Sequence, residues 1–346
     1  MARPTASSGE YCPATLHQAL ATSISGAAFT DTAYFLFSRR KTSAGVVRSP
    51  RAVYASSYVM RAAADHFQTQ LSGHFSTDDA VPAETADYGY GSDSDLEDED
   101  EDDQDIGEPV NEAKDKERDA ESPQPSSEML REEAVRKGVK HILFIPDVAA
   151  VTWHALVFFV YTGKISFAPL RSTGERARRG ACRVHHAANP ELPELCSPKS
   201  MYRLADMVGI DHLKELAAEE IQKQLSHECV VDELFSHFSA AYPDVLTAQL
   251  TYLYAEGRMA EVLQKAQRHV ASALSGQMPH AETVLSAMLS TLSALLLSHP
   301  GYPAPKIATL NAGAPNDTTP SASIAPSEFK FSFSYAANVR PSQNGQ

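Results

Sequence analysis

SPKSMYRLADMVGIDHLKELAAEEI, residues 197–221, carries the plainest structural signal in the chain. Ser197 is a good N-cap, Pro198 stands at the first helical position with its φ already set, and Gly209 supplies the left-handed residue that ends a helix. Between them Met201, Leu204, Ala205 and Val208 fall on one helical face. Asp211 predicts the cap of a second helix, whose apolar positions are Leu213, Leu216, Ala217, Ile221 and Leu225. The stretch therefore reads as a helical pair.

Upstream, VTWHALVFFVYTGKI (151–165) is an apolar helix stopped at Gly163, and HILFIPD (141–147) is strand-like. Earlier still, FTDTAYFLFSRR (29–40) and VVRSPRAVYA (46–55) flank the turn residues KTSAG and predict a β-hairpin. From Ser57 the period changes: Val59, Ala62, Ala63, Phe67 and Leu71 form one helical stripe ending near Gly73. Downstream, further helices are expected around Val231–Phe238, Val245–Tyr254 and Met259–Leu297. Strands are few and early, so the fold class is α+β, a small sheet capped by a helical cluster.

The net charge of −14 is local. Residues 89–105, GYGSDSDLEDEDEDDQD, hold ten carboxylates and no base, while everything outside 78–128 sums to +4. The acidic region 76–138 is read as a disordered insertion, apart from the short helical pattern EEAVRKG (132–138). A loop lengthened by four doublings costs only about 2.4 kcal/mol in closure entropy, which a folded domain can bear. A second polar insertion is expected at 170–195, and a disordered tail from 300 to 346.

Three stretches in this order, SSYVMRAAADHFQTQLSGHF, VFFVYTGKI and MYRLADMVGIDHLKELAAEEI, resemble the helix, Tyr-Thr-Gly turn and closing helix pair of BTB/POZ domains. The resemblance covers 28–225 without the two insertions, after an N-terminal segment 1–27, and the acidic insertion resembles a fungal branch of that family. Asp31 matches the family's strand aspartate. Ala55-Ser56 and Ala64-Asp65-His66-Phe67 depart from its Ala-His and Ser-x-x-Phe, which implies local rewiring of hydrogen bonds. The resemblance implies a non-enzymatic interaction module, a scaffold or adaptor whose partners are other proteins and, in many relatives, a second copy as a homodimer. Some relatives recruit a cullin-type ubiquitin ligase through an apolar-x-Glu triplet after the Tyr-Thr turn. Here that region is Tyr161, Phe167 and Pro169, with proline in the acid's place, so a substrate-receptor role is the alternative reading. Residues 226–299 resemble the helical extension that follows the domain in such adaptors.

Catalytic signatures are absent: there is no Gly-x-Ser-x-Gly, His-Glu-x-x-His or Walker loop, and Gly89-x-Gly91 is flanked by carboxylates that repel phosphate. No enzyme activity or cofactor is expected. Cys182, His185, His186 and Cys196 are zinc-type ligands at a spacing no standard finger uses, and an ordinary polar loop is the favoured reading. Ser92 and Ser94 each have an acid three residues on, as acid-directed kinases prefer, so the run is a candidate phosphorylation platform or a bait for histones. Its favoured reading is a solvated spacer, and it argues against nucleic acid. VLSAMLSTLSALLLS (284–298) is too short to span a bilayer, and four scattered cysteines with no secretory leader suit the cytoplasm or nucleus. EFKFSFSY (328–335) alternates like an edge strand, with a disordered tail favoured.

Overall fold

The computed structural model describes residues 13–26, 29–41, 44–72, 84–86, 88–98, 127–255 and 259–298. The elements belong to a compact unit spanning Met1–Leu296, apart from the last two residues of the final helix. Cys12, the tail from 300 and the stretch 328–335 lie outside the described residues.

The hairpin forms where the two apolar runs predict it. Strand β1 (Thr32–Lys41) pairs antiparallel with β2 (Val46–Ala55), from Thr32 opposite Ala55 to Lys41 opposite Val46. The ladder skips the Ser38–Ser49 pair. Ser49 sits there at φ 61, and Ser38 Oγ donates to its carbonyl at 2.8 Å. A non-glycine residue in the left-handed region is held against a small backbone strain.

The other edge of β1 is shared by two parallel partners. β5 (His141–Phe144) takes its first half, from Thr32 to Phe35, and β4 (Glu97–Asp98) takes its end at Arg39 and Arg40. The short β3 (Glu84–Thr85) pairs with β2 and completes a mixed sheet. The fold is thus α+β, as expected.

AYFLF in β1 is apolar without alternation, and the structure buries both of its faces. Tyr34 and Leu36 enter the main core with Met60, Phe67, Trp153, Leu156 and Leu204. Trp153 lies 4.8 Å from the Tyr34 ring and 6.1 Å edge-on from Phe67. The opposite face is covered by parts of the acidic region. Ala33 and Phe35 meet Ala134 of helix α4 (Ser127–Arg136), and Phe37 meets Tyr88 and Leu96. The expectation of disorder across 76–138 is therefore corrected at 84–86, 88–98 and 127–131, since a two-sided apolar strand needs two covers, while the helical pattern expected at 132–138 falls on the end of α4.

α1 (Pro13–Gly26) precedes the hairpin. The single helix expected from Ser57 is two, α2 (Ser57–Ala63) and α3 (Asp65–Ser72), broken at Ala64, which is extended at φ −158 and ψ 150. Ser56 supplies no side-chain cap to α2; the carboxylate of Asp31, just before β1, does so, accepting from Ser57 N and Ser57 Oγ at 2.7 Å each. α5 (Ala150–Thr162) is buried on nearly every side, with Gly163 closing it at φ 67. The polar stretch 170–195, expected as a polar insertion, holds a 3-10 turn and α6 (Glu175–Ala188), whose single buried side chain is Arg178.

The closing pair is α7 (Pro198–Val208) and α8 (Asp211–Lys223). Ser197 caps α7 by accepting from Ser200 N, and Gly209 ends it at φ 75. Asp211 is the first residue of α8 and makes no side-chain cap; Ile210 holds the cap position. Beyond it come α9 (Val230–Leu234), α10 (His237–Ala241), α11 (Pro243–Ala255), α12 (Met259–Leu274) and α13 (Ala281–Ser298). Their core gathers Val231, Leu234, Phe235, Leu246, Leu250 and Val284, while Phe238 and Val245 join the first core. Among the described residues no helix is long and apolar enough to cross a membrane.

Leu96, inside the acidic run, is 4 % exposed. Leu96→Ala is expected to cost about 2–4 kcal/mol in chemical denaturation, the range of a core leucine. A loss within about 0.5 kcal/mol, as on a solvated loop, would show that this cover does not form.

Candidate functional site

The best-built polar site is where residues 88–98 meet α5, α6 and α7. Asp93 is fully buried and accepts from Tyr88 Oη at 2.8 Å, Ser200 Oγ at 2.7 Å and Asp95 N at 3.0 Å. Asp95 accepts from Thr152 Oγ1 at 2.7 Å, from Ser197 N at 2.8 Å to each oxygen, and from Arg178 Nη2 at 2.6 Å. Arg178 also donates to the carbonyls of Ser94 at 3.0 Å and Pro169 at 2.6 Å. A buried charge survives only with such complete partnering.

A second tie holds the end of the segment. Arg40 reaches Asp98 Oδ1 from Nη2 at 2.7 Å and donates to the Gly91 carbonyl, while Arg171 pairs with the other Asp98 oxygen. Arg39 Nε stands 3.1 Å from Glu97. At the start, Gly89 N donates to Asp147 Oδ1 at 3.1 Å, and the Arg203 guanidinium lies over the Tyr90 ring at 4.7 Å.

Two carboxylates respond in opposite senses. Burial, then the neighbouring Asp93, pushes Asp95 up to about 6, against the pull of Arg178 and its hydrogen bonds. Burial also works to raise Asp98, but hydrogen bonds from Arg171 and Arg40 outweigh it and hold the carboxyl below its ordinary range.

Beside this segment lies a cleft of about 510 Å³ lined by Arg39, Arg51, Arg171, Arg178, Arg179 and Arg183. Asp95, Glu97, Asp98, Glu175 and Glu194 line it too, so it is highly charged but nearly balanced. Further ties reach the helical extension: Glu233 of α9, 1 % exposed, accepts from Lys199 Nζ at 3.1 Å and Ser172 Oγ at 2.5 Å.

The residues singled out in the sequence are dispersed. Tyr161, at the end of α5, accepts from Ser56 N at 2.6 Å and meets Phe29 edge-on. Phe167 forms a parallel bridge with Cys196, and Pro169 gives its carbonyl to Arg178. Gln224, at the C-cap of α8, clamps this stretch, accepting from Leu170 N at 2.6 Å and donating to the Ala168 carbonyl at 3.2 Å. Ser92 is exposed and Ser94 half-buried beside the cleft. Cys182, His185 and His186 lie on α6, but the buried Cys196 thiol points to the Ser166 carbonyl and His185 Nε2 contacts the Pro193 carbonyl. Among the described residues no three His, Cys, Asp or Glu side chains stand close enough to hold a metal ion. Cys182, Cys196 and Cys229 are free thiols.

Sequence reading missed Asp93, Asp95 and Arg178. The available signal was Leu96 and three tyrosine or serine neighbours within an acidic run, opposite a strand with no polar face. Family models give no match to this chain, and no curated protein matches it.

Because Asp95 binds its proton more tightly folded than unfolded, its contribution to stability is full below about pH 4 and lost as pH rises through about 6. Relative to Asp95→Asn, the native chain is expected to lose about 2–3 kcal/mol between pH 4 and pH 7.5 in denaturation curves. A difference that grows with pH would mean that Arg178 keeps Asp95 ionised throughout.

Proposed function

We propose that the chain is a non-enzymatic protein–protein interaction module of the BTB type, a scaffold or adaptor that self-associates. Support comes from a hairpin, two short helices, a strand, a helix ending in Tyr-Thr-Gly and a closing helix pair, arranged round one core in the order that type would require. The observation that carries self-association is the outer face of α1, where Ile24 is 87 % and Leu20 42 % exposed. Tyr58 of α2 is also exposed, and its hydroxyl donates to Gln18 of α1 at 2.7 Å. Large apolar side chains grouped on one surface favour a protein partner.

The second reading, a cullin-bound substrate receptor, draws on the helical extension, which Glu233 fastens to α7 through Lys199. It is weakened where the contact would fall, because the backbone around Phe167 and Pro169 is engaged inside the fold. A histone bait is weaker still: Asp93, Asp95 and Asp98 are turned inward and paired.

Light scattering on the full chain over a range of concentrations tests the proposal. The expected mass is twice 37.5 kDa, reverting to the single-chain mass in Ile24→Asp without loss of thermal stability. A single-chain mass at every concentration would remove self-association, and co-purification of a cullin by that monomer would favour the second reading.

A further inference from the structure

Ser92 and Ser94 share the same local motif, an acid three residues on, and the fold treats them differently. The acid serving Ser92 is Asp95, whose side chain is fully buried and engaged by Arg178, Thr152 and Ser197. Ser92 itself is exposed, and it does not line the cleft. The acid serving Ser94 is Glu97, with a side chain 56 % exposed. Ser94 lines the cleft together with Arg179 and Arg183 of α6, four residues apart and so on one helical face.

We propose that Ser94 is a phosphorylation site and that the cleft beside it receives the phosphate, held by Arg179 and Arg183. The reaction belongs to an acid-directed protein kinase with a nucleoside triphosphate. Ser94 Oγ bonds to the γ-phosphorus as the bond to the β–γ bridging oxygen breaks. The nucleoside diphosphate leaves, and the hydroxyl proton passes to the kinase's base.

The carboxylates in the cleft do not oppose this. Asp95 and Asp98 are already matched by Arg178, Arg40 and Arg171, Glu97 by Arg39 at 3.1 Å and Glu175 by Arg171 at 3.0 Å, while Glu194 stands 3.9 Å from Arg51. Glu175 stands 3.9 Å from Arg179, a loose contact that a phosphate displaces. Phosphoserine carries about −1.5 to −2 charges, and its three oxygens match the guanidinium fork, whereas a glutamate brings a single charge. Since Arg178 already holds the Ser94 carbonyl at 3.0 Å and the Asp95 carboxylate at 2.6 Å, the phosphate adds a further tie between the acidic segment and the same helix. Modification thus tightens the segment on the domain, the reverse of what added negative charge does to a solvated acidic loop.

The test installs phosphoserine at position 94 or 92 of the full chain by genetic encoding and follows amide exchange across 88–98. Phosphoserine at 94 is expected to slow exchange about tenfold, and phosphoserine at 92 to leave it within about twofold. In Arg179→Gln/Arg183→Gln the gain should vanish while the unmodified chain exchanges as before. Faster exchange, equal effects at 92 and 94, or a gain that survives the double substitution would overturn the receiving site. Treatment of the native chain with an acid-directed kinase and mapping by mass spectrometry checks the site itself. Phosphate on Ser94 ahead of Ser92 is expected; the opposite order, or none on Ser94, would overturn it.

Discussion

β1 is apolar on both faces, and everything else in the first core follows from having to cover it twice. One cover is helical: α5, with Trp153 against Tyr34, and behind it α2, α3 and the closing pair. The second cover cannot come from those helices, because they lie on the other side of the sheet. It comes from the two ends of the acidic region, where α4 places Ala134 against Phe35 and residues 88–98 place Tyr88 and Leu96 against Phe37. Each fully buried side chain of that size is worth about 1.5–3 kcal/mol, so the segment has a reason to dock that owes nothing to its charge.

Docking carries Asp93, Asp95 and Asp98 into the interior, and the fold answers with partners from far along the chain. Arg178 on α6, the Ser197 amide at the start of α7, Thr152 on α5 and Arg40 on β1 converge on them. Removing one partner of such a set leaves a buried charge uncompensated, which costs far more than the pair contributes. Specificity is a consequence: an arbitrary acidic loop does not fit, because each carboxylate has an assigned position. The same set links α6 to the sheet, so the polar stretch 170–195 is folded for the same reason as the acidic one. Glu233 repeats the device at the junction with α9.

Elements with local signals were legible in the sequence. The hairpin followed from two apolar runs and a turn, α7 from Ser197, Pro198 and Gly209, and α5 from its apolar run and Gly163. The break at Ala64 was not legible, since Val59, Ala62, Ala63, Phe67 and Leu71 keep a helical period across it. α6 was read as a polar loop because its one buried side chain is an arginine, whose burial makes sense only beside Asp95, 83 positions earlier. The acidic segment was hidden in the same way. Composition reports that carboxylates avoid cores, and it says nothing of a distant arginine that reverses the rule. The unalternated run AYFLF was the overlooked sign that a second cover had to exist.

The most direct test is the native amide exchange of residues 88–98 in the unmodified chain. Protection of Asp93, Asp95 and Leu96 comparable to that of the β1–β2 ladder is predicted, because their segment is part of the same core. Exchange at the rates of an unstructured peptide would contradict the account, leaving Phe37 uncovered and Arg178 without the carboxylate that explains its burial.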